Sequence, residues 1–366
     1  MKVIFSGGGT GGHVYPALAI ATALAQELGD SDALDTLYVG TSRGIERELV
    51  TRAGLPFRAV AAGAIRGRSP WGLAASVVKL TRGVAQARRV IARFQPQAIL
   101  TTGGYASVPM AVAARTSHRL PLVVYLPDVR PGWAVRFMAR LAQRVAVTTH
   151  PSLAYFPPAK TVVTGYPIRP IFWQVDKTEA RRRLALDPQE RLLLIAGATH
   201  GARTLNRMVG QHLPQLLELC QIIHLSGRHD EPRLDRQRRD LPDRLRPRYH
   251  LYDYMHEDLP WAMAAADLAV MRAGASVMGE LPAVGLPAIL VPYPYAGGHQ
   301  RFNARFLADA GAALVVEDKK LNGLLPLIGE LLADEARRAT MAEAARRLAH
   351  PDAATNIARL LLEVAK

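Results

Sequence analysis

This 366-residue chain has little cysteine, no long apolar run, and one long stretch without acidic residues. Its single cysteine, Cys220, excludes an internal disulfide framework and is typical of a protein in a reducing cytoplasm. No run of about 18 apolar residues occurs, so we expect no membrane-spanning helix. The first residues lead directly into VIF and a glycine run, so we also expect no signal peptide.

Acidic residues are absent from Leu49 to Pro127, a stretch that contains eleven arginines and lysines between residues 52 and 119. The whole chain carries a formal net charge of +15. Such a positive field attracts phosphate-rich partners, namely nucleic acid, anionic lipid head groups or a diphosphate substrate. A solvated basic face is the alternative. Aromatic residues are not interleaved with the basic ones, so nucleic acid is a poor fit.

Short runs of Val, Ile and Leu alternate with helical patterns along the whole chain. Six such runs, from KVIF to TVVTG, fill the first half, and five more, from RLLLIAG to ALVVE, follow the segment GYPIRPIF. Continuous apolar strands that alternate with helices indicate parallel sheets covered on both faces. Because the chain is too long for one ordinary core, we predict an α/β protein with two doubly wound, Rossmann-like parallel-sheet domains.

Glycine and proline cluster at residues 165–170, which indicates a domain boundary there. We predict an N-terminal domain over residues 1–166, a second domain over 167–345, and a C-terminal helix within 346–366. That helix must pack on another element, and we expect it on the N-terminal domain. Its apolar residues at helical spacing are Ile357, Leu360, Leu361 and Val364.

A glycine run lies between the first predicted strand and the first predicted helix, over residues 7–12, and His13 follows it. Glycine lets backbone amides approach a ligand closely, and a helix N-terminus adds free N–H groups and a positive dipole end. The run therefore predicts a site for an anion or a diphosphate, to which His13 adds a titratable group. A tight turn without a ligand and a capping or core histidine are the alternatives.

The same run satisfies G-x-G-x-x-G, which is a pattern of dinucleotide-binding sites. The second strand ends in LYVGTSRG, however, with no acid for a ribose, and the run lacks the Lys-Ser/Thr of a P-loop. A similar strand-to-helix turn, LLLIAGATHGA, opens the second half. Each turn is expected at the carboxyl edge of its sheet, where doubly wound folds bind ligands.

Five segments of the chain resemble, in order, the MurG family of bacterial peptidoglycan glycosyltransferases, which belongs to glycosyltransferase family 28. They are GGGTGGHVYPALAIA, TTGGYASVP, TGYPIR, GATHGARTLN and RAGASVMGELPAVGLPAILVPYPYAGGHQRFNARFLADAGAA. The resemblance covers nearly the whole chain. It implies a GT-B fold, in which two Rossmann-like domains face each other across a cleft. It also implies transfer of N-acetylglucosamine from UDP-GlcNAc to lipid I, the undecaprenyl-diphosphate-linked acceptor, to form lipid II.

The resemblance assigns the donor to the second half of the chain. Glu280 matches the family's glutamate that binds the uridine ribose. A carboxylate suits this role because it can accept hydrogen bonds from both ribose hydroxyls. A solvated helix residue is the alternative for Glu280. The loop that precedes it contains Arg272, Gly274, Ala275 and Ser276.

Other donor contacts follow from the same resemblance. Gln300 would bind the sugar hydroxyls, with Asn303 one helical turn later. Thr199, at a helix N-terminus, and Arg169 would meet the diphosphate. Met255 lies near the position whose backbone would meet uracil.

The resemblance assigns the acceptor to the first half. Two glycine-rich loops resemble those that cradle the lipid diphosphate, and they contain Thr10, Gly11, Gly12, Gly103, Gly104 and Tyr105. His13 matches the histidine of the family's active-site cleft.

One segment departs from the family. Where the family usually has His-Glu-Gln-Asn, this chain has Tyr125-Leu126-Pro127-Asp128, so an aspartate replaces the asparagine and the Glu-Gln pair is lost. The segment lies on the acceptor side, so the change concerns the identity of the acceptor. An inverting transfer needs a base for the acceptor hydroxyl, and His13 and Asp128 are both candidates because an asparagine has no basic site.

We expect no metal ion and no cofactor, because fixed dipoles and a cation can stabilise the departing UDP. Those groups would be the helix N-terminus at Thr199 and the guanidinium of Arg169. The one Asp-x-Asp sequence, at residues 30–32, lies in a polar segment that we interpret as a turn.

The partners that we expect are UDP-GlcNAc, a lipid I acceptor and the anionic inner face of the cytoplasmic membrane, with no nucleic acid. The protein would then be peripheral on the cytoplasmic face. The segment at residues 69–94 combines many arginines with an apolar stripe, which suits either a bilayer surface or the chain's own sheet. The stripe consists of Leu73, Val77, Leu80 and Val84.

Other functions remain open at this point. A GT-B glycosyltransferase with a different lipid acceptor, such as diacylglycerol, is the nearest alternative. A UDP-GlcNAc 2-epimerase shares the fold and the donor but carries different motifs. A paralogue that binds UDP-sugar or lipid diphosphate without turnover is a third alternative, and the intact His13, Arg169, Glu280 and Gln300 argue against it.

Overall fold

The computed structural model describes residues 1–29, 33–42, 44–63, 70–197, 202–295 and 298–366. The chain divides into two compact units. Unit 1 consists of Met1–Arg169 with His350–Lys366, and unit 2 of Pro170–Ala349. These limits lie three and four residues beyond the boundaries that the sequence suggests at residues 166 and 345.

Unit 1 is built on a seven-stranded sheet in which every pair of neighbours is parallel. Its strand order is β3-β2-β1-β4-β5-β6-β7, so the direction of winding reverses between β1 and β4. The strands are β1 (Lys2–Gly7), β2 (Asp35–Gly40), β3 (Phe57–Ala59), β4 (Ala98–Gly103), β5 (Leu122–Leu126), β6 (Arg144–Val147) and β7 (Thr161–Val163).

Helices cover this sheet because its central strands are apolar on both faces. Every residue of β4 and β5 is buried, as expected for a parallel sheet inside an α/β unit. The first five helices are α1 (Gly11–Leu28), α2 (Glu46–Arg52), α3 (Pro70–Phe94), α4 (Val108–Ala113) and α5 (Trp133–Leu141).

Unit 2 has a six-stranded parallel sheet in the order β10-β9-β8-β11-β12-β13, which reverses between β8 and β11. Its strands are β8 (Leu192–Ala196), β9 (Gln221–Leu225), β10 (Tyr249–Tyr252), β11 (Leu268–Met271), β12 (Ala288–Leu290) and β13 (Ala313–Val315). Its helices are α6 (Lys177–Arg183), α7 (Arg203–Gln211), α8 (Leu213–Leu219), α9 (Glu231–Arg239), α10 (Leu259–Ala265), α11 (Val277–Val284), α12 (His299–Asp309), α13 (Leu324–Ala333) and α14 (Glu335–Arg346).

The last helix, α15 (Ala353–Ala365), belongs to unit 1 and packs against α1. Its apolar face is buried there at Ile357 and Leu361. Two ion pairs flank the contact: Arg359 meets Glu27 of α1, and Arg144 meets Glu363. The C-terminal residues therefore complete the fold of the N-terminal unit.

The prediction of two doubly wound parallel-sheet domains is confirmed by the two sheets. Two strands, β3 and β10, were not predicted, and both are edge strands. The stripe of α3 divides: Leu80 and Val84 pack on the core, whereas Val77 is 47% exposed. The side chain of Leu73 lies outside the described residues. Among the described helices, none has the length and apolar character needed to cross a membrane.

Candidate functional site

Each sheet has one point where the strand order reverses, and open α/β sheets bind ligands in the crevice outside the carboxyl ends of the strands at such points. In unit 1 the loops that follow β1 and β4 meet there, and these are the two glycine-rich loops. In unit 2 the loops that follow β8 and β11 flank the corresponding point. Most of the site residues expected from the sequence belong to these four loops.

The two glycine-rich loops of unit 1 approach each other so closely that side chains would not fit. A Cβ atom on Gly104 would lie 2.4 Å from the carbonyl oxygen of Gly8, and one on Gly7 would lie 2.1 Å from Oγ1 of Thr102. Gly103 and Gly104 also have φ values of 104° and 80°, which favour glycine. Close backbone packing therefore accounts for part of the glycine run.

Gly9 is different from these packed glycines. Its φ is 100°, and nothing in the described part of the chain lies within 4 Å of a Cβ atom built on it. Gly9 and Thr10 are exposed at the start of α1, and the side chain of Thr10 makes no capping hydrogen bond. The outer half of the run therefore presents open backbone at a helix N-terminus, as an anion site requires.

His13 is oriented by a reciprocal contact with the loop after β4. Its Nδ1 lies 2.7 Å from the carbonyl oxygen of Thr102, and Oγ1 of Thr102 donates to the carbonyl oxygen of His13 at 2.6 Å. A carbonyl oxygen only accepts, so Nδ1 carries the proton and Nε2 of the neutral ring keeps its lone pair. The imidazole is therefore held in the tautomer that can accept a proton at Nε2.

Asp128 follows β5, which pairs with β4, so it lies at the same sheet edge as the glycine-rich loops. The backbone on both sides of it is fixed. The hydroxyl of Thr148 lies 2.9 Å from the carbonyl oxygen of Leu126, and Ser152 donates to the carbonyl oxygen of Val129 at 2.8 Å. Asp128 itself is half-buried. This edge therefore offers a second proton acceptor in a rigid segment.

Arg169 lies in unit 1, although the sequence suggested the second domain. Its guanidinium is 5.1 Å from the ring centroid of Tyr15, two residues after His13, which is a cation–π distance. Nearby, the hydroxyl of Tyr166 donates to the carbonyl oxygen of Gly12 at 3.0 Å. The segment that ends unit 1 is therefore attached to the first turn of α1, and the positive charge of Arg169 is added to that region.

Arg272 in unit 2 is buried, and both terminal nitrogens of its guanidinium donate to the protein. It donates to Asp318 at 2.6 Å, to Oγ1 of Thr204 at 2.8 Å and to the carbonyl oxygen of Val291 at 3.1 Å. Thr204 in turn donates to Asp318 at 2.7 Å. Arg272 therefore holds the loop after β11 in place and has few donors left for a ligand.

Glu280 lies in the first turn of α11 and is only 6% exposed, so the alternative of a solvated helix residue is wrong. A carboxylate near a helix N-terminus is favoured by the helix dipole. The residues before it, Gly274, Ala275 and Ser276, are half-buried, and in the described part of the chain nothing lies within 4 Å of a Cβ atom on Gly274. This loop thus has the same open character as Gly9 in unit 1.

Gln300 and Asn303 lie on α12 and attach it to neighbouring loops. Oε1 of Gln300 accepts the backbone N–H of Tyr293 at 2.8 Å. Asn303 is fully buried, and its Nδ2 donates to the carbonyl oxygen of Ala273 at 3.2 Å. Asn303 therefore connects α12 with the loop that carries Gly274, which is a structural contact that its sequence position did not indicate.

The remaining expected residues are less informative. Met255 is buried just after β10, whereas Tyr105 is 37% exposed beside Gly104. Thr199 lies outside the described residues, as does the Asp-x-Asp sequence at residues 30–32. Within the described ranges, no group of three or more His, Cys, Asp or Glu side chains is arranged to hold a metal ion; the expectation of a metal-free reaction stays a prediction.

Sequence reasoning missed an acid behind the first glycine loop. Glu46 is fully buried, and its Oε1 accepts the backbone N–H of Thr41 at 2.9 Å and the Thr41 hydroxyl at 2.6 Å. A Cβ atom on Gly8 would lie 2.9 Å from that oxygen. An acid therefore does follow β2, but it is turned inward to support the loop and is not exposed to a ribose.

Two other supporting residues were also missed, Thr102 and Asp318. Thr102 is near the end of β4, and Asp318 follows β13. Each acts on a residue far away along the chain: Thr102 on His13, and Asp318 on Arg272. Only the sheet order brings such partners together, so no local sequence pattern could have indicated them.

Comparison with known proteins agrees with this architecture. Residues 3–147 match the glycosyltransferase family 28 N-terminal domain, and residues 192–357 match the glycosyltransferase family 28 C-terminal domain. The UDP-N-acetylglucosamine–N-acetylmuramyl-(pentapeptide) pyrophosphoryl-undecaprenol N-acetylglucosamine transferase of Roseiflexus sp. (strain RS-1) is 43% identical, over 97% of this chain and 93% of that relative. The transferase of the same name from Moorella thermoacetica is 39% identical over 99% of both chains.

Solved structures give the same result. The crystal structure of MurG from Acinetobacter baumannii is similar with a TM-score of 0.74 and 26% identity, over 99% of both chains. UDP-GlcNAc 2-epimerase from Neisseria meningitidis, bound to UDP-GlcNAc, has a TM-score of 0.69 at 16% identity, over 99% of this chain and 100% of that one, which indicates a shared fold. The resemblance in the five segments and the GT-B fold class are thereby confirmed. The chain belongs to the MurG family of glycosyltransferase family 28.

Proposed function

We propose that this protein transfers N-acetylglucosamine from UDP-GlcNAc to lipid I and forms lipid II, with inversion at the anomeric carbon. The observation that carries the proposal is the relationship over nearly the full length to transferases of that name. In this reaction the acceptor hydroxyl oxygen forms a bond to the anomeric carbon, the bond from that carbon to the diphosphate oxygen breaks, and UDP leaves with the electron pair. A base takes the hydroxyl proton.

We assign donor binding to the switch point of unit 2. The Glu280 carboxylate would accept the ribose hydroxyls, and Gln300 with Asn303 would define the sugar subsite on α12. The open loop at Gly274 to Ser276 leaves room for the nucleotide, and the backbone at Met255 would meet uracil. Because Arg272 is engaged by Asp318 and Thr204, its proposed role is to shape this loop.

Stabilisation of the leaving diphosphate needs hydrogen-bond donors and positive charge. We propose Thr199, in the segment that precedes α7, and the guanidinium of Arg169 for this purpose, with no metal ion. The reaction should then persist in EDTA with a soluble acceptor analogue. Activity that is lost in EDTA and restored only by added Mg²⁺ or Mn²⁺ would contradict this part.

We assign the acceptor to the switch point of unit 1. The backbone from Gly9 to Gly12, which is exposed at Gly9 and Thr10, would hold the lipid diphosphate together with Gly103, Gly104 and Tyr105. His13 is the first candidate for the base, because the Thr102 carbonyl fixes its proton on Nδ1 and leaves Nε2 to accept. Asp128 is the second candidate, since a carboxylate at this position has a basic site that the family's usual asparagine lacks.

We further propose that unit 1 docks on the anionic inner face of the cytoplasmic membrane. Val77 and Val78 of α3 are 47% and 66% exposed. A cavity of about 570 Å³ on the same unit is lined by Arg115, Arg119 and Arg140. Exposed apolar side chains together with arginines suit an interface with anionic head groups. The protein would then be peripheral, with its acceptor site close to its lipid substrate.

A UDP-release assay tests the reaction. With UDP-GlcNAc as donor, lipid I should support turnover and diacylglycerol should not. Turnover with diacylglycerol alone would instead mean that the changed segment at residues 125–128 marks a different acceptor. Release of no UDP with either acceptor, despite UDP binding, would favour a protein that binds without turnover.

Calorimetry with UDP tests the donor site separately. Glu280→Ala should weaken UDP binding by about 1.5–3 kcal/mol, the range for hydrogen bonds to a charged group. Glu335→Ala is the matched control, because Glu335 also lies in the first turn of a helix but is exposed. Equal UDP affinity in the two variants would remove Glu280 from the site.

A further inference from the structure

Unit 2 contains a cavity that the transfer reaction does not use. Its volume is about 320 Å³, and it lies between the N-terminal turns of α7 and α9. The lining residues are Arg203, Arg207, His229, Asp230 and Arg233. Three guanidinium groups face one carboxylate there, which leaves a formal surplus of two positive charges while the histidine is neutral.

The single carboxylate is already occupied by another residue. Oδ2 of Asp230 accepts a hydrogen bond from Nδ2 of Asn206 at 2.8 Å, and the same amide donates to the carbonyl oxygen of Ser226 at 2.7 Å. Asn206 is fully buried, so this contact is part of the core. Asp230 is therefore held by the interior of the unit, and no ion pair within the described residues joins it to an arginine of the cavity.

The arginines are weakly engaged by the protein. Arg233 makes two long contacts, 3.3 Å to Oε1 of Gln237 and 3.4 Å to the carbonyl oxygen of Asn206. Arg207 has no hydrogen bond or ion pair to any residue in the described ranges. This differs from Arg272 of the same unit, which has three short partners. The cavity therefore keeps guanidinium donors that a ligand can use.

Arg203 and His229 make an unusual contact across the cavity. Nη2 of Arg203 lies 2.9 Å from Nε2 of His229. A guanidinium only donates, so the imidazole nitrogen accepts and the ring is neutral, with its proton on Nδ1. Within the described residues no carboxylate meets either side chain. A bound oxyanion can accept hydrogen bonds from the other N–H groups of Arg203 and from Nδ1–H of His229.

The residues that line the cavity are different from the residues assigned to the donor. In unit 2 the donor residues follow β8, β10 and β11 or lie on α12, whereas His229, Asp230 and Arg233 follow β9. Arg203 and Arg207 lie on α7. Only α7 is common to the cavity and the proposed donor site, because its first turn follows the segment that contains Thr199, which we assign to the leaving diphosphate.

We infer that this cavity, which we call the α7–α9 cavity, binds a ligand carrying a phosphate or diphosphate group. Guanidinium groups match phosphate oxygens in a bidentate fashion, and an anion of charge about −2 would balance the surplus charge. The volume exceeds what one phosphate group fills, so the remainder of a phosphorylated compound can occupy it. This site is additional to the UDP-sugar and lipid diphosphate sites.

Calorimetry on the full chain with inorganic pyrophosphate and inorganic phosphate tests the inference. With UDP present at saturation, pyrophosphate should still bind, because the two sites are separate. Arg207→Gln should weaken that binding at least about tenfold, the effect of losing charged hydrogen bonds. Since Arg207 makes no hydrogen bond or ion pair with another described residue, the variant should melt at about the same temperature as the wild type.

Arg236→Gln is the matched control, because Arg236 is an exposed arginine of α9 that does not line the cavity. It removes the same charge and should leave pyrophosphate binding unchanged. Equal weakening in Arg207→Gln and Arg236→Gln would mean that only the general positive field attracts the anion, and would overturn the site. Displacement of pyrophosphate by UDP would also overturn it, since the ligand would then occupy the donor site. Absence of pyrophosphate and phosphate binding in the wild type would overturn it directly.

Discussion

The two switch points of this protein are constructed in different ways. In unit 1 the loops are held by backbone contact: Gly104 touches Gly8, and His13 bonds the carbonyl oxygen of Thr102. In unit 2 the loops are held by buried side chains, with Arg272 clamped by Asp318. The same sheet topology therefore supports one site whose loops are held by glycine backbone contacts and another whose loops are held by a buried ion pair.

This difference decides which side chains are available for chemistry. Where glycines hold the loops, His13 needs only one ring nitrogen for support, and the other can accept a proton. Where side chains hold the loops, Arg272 and Nδ2 of Asn303 donate to protein groups, and we propose that Glu280 with the open loop before it recognises the nucleotide. The proposed assignment of proton transfer to unit 1 and of nucleotide recognition to unit 2 agrees with this difference.

The largest effect expected is from His13 in unit 1. His13→Ala removes the proposed base and should lower turnover by about 10²–10⁴-fold, the usual contribution of general base catalysis. UDP affinity should stay unchanged, because His13 is not among the residues that we propose to bind UDP. Turnover at saturating donor and UDP calorimetry measure the two effects.

Asp128→Asn distinguishes the two candidates for the base. If Asp128 is the base, this variant loses turnover by the same factor of about 10²–10⁴. If Asp128 only positions the acceptor, the variant restores the family's usual asparagine, and activity should hold or rise. Full activity in both His13→Ala and Asp128→Asn would show that neither residue takes the proton, and would contradict the assignment of the base to unit 1.

Loss of the buried ion pair between Arg272 and Asp318 in unit 2 should have the next largest effect. Arg272→Met leaves the Asp318 carboxylate without its partner in a nearly buried position, and should lower the free energy of unfolding by about 3–5 kcal/mol. Calorimetric melting measures the loss. Arg305→Met is the control, because the Arg305–Asp309 pair lies on the exposed surface of α12 and contributes little. Equal melting temperatures for the two variants would mean that the clamp does not hold unit 2.

Two glycines of unit 1 allow a matched test of backbone packing. Gly104→Ala and Gly9→Ala both place a Cβ atom on a residue with positive φ, which strains each by about 1–2 kcal/mol. Only Gly104→Ala also clashes with the carbonyl oxygen of Gly8, so it should melt at a lower temperature and lose more turnover. A lower melting temperature for Gly9→Ala than for Gly104→Ala would contradict the view that these glycines are needed for close packing of the two loops.

The effect that is smallest at neutral pH concerns acid stability and a buried polar group of unit 2. His224 is fully buried between Tyr249 and Asn206, near Arg233 and Asp230, and burial lowers its pKa from 6.5 to about 3. Between those two values only the unfolded chain binds the proton. Stability contributed by the neutral ring is therefore complete above pH 6.5 and is lost as the pH falls, by up to about 1.4 kcal/mol per pH unit.

His224→Gln removes this titration. Its free energy of unfolding should depend less steeply on pH between about 6.5 and 4 than that of the wild type, as urea unfolding at several pH values would measure. Identical slopes would assign the acid sensitivity to other groups, for example His250 or His350, whose pKa values burial also lowers.

Much of the fold could be predicted from the sequence, but its two edge strands could not. The strands β1, β4 and β5 each contain a run of at least three consecutive apolar residues, so a local pattern is enough to identify them. By contrast, β3 is only three residues long and mostly exposed, and β10 is mostly half-buried. These segments become strands because β2 and β9 offer them a backbone edge to pair with, and no pattern of their own records that pairing.

The sequence by itself determined the two-domain α/β architecture, the family, and the loops that carry the candidate site, because apolar runs and glycine positions are local properties of the chain. Tertiary structure alone decided what supports that site. Thr102 orients His13, Asp318 clamps Arg272, and Glu46 lies behind Gly8, in each case after the chain has passed through other elements. Such partners meet because parallel strands place their carboxyl ends at one edge of a sheet, and that order is fixed only when the whole sheet forms.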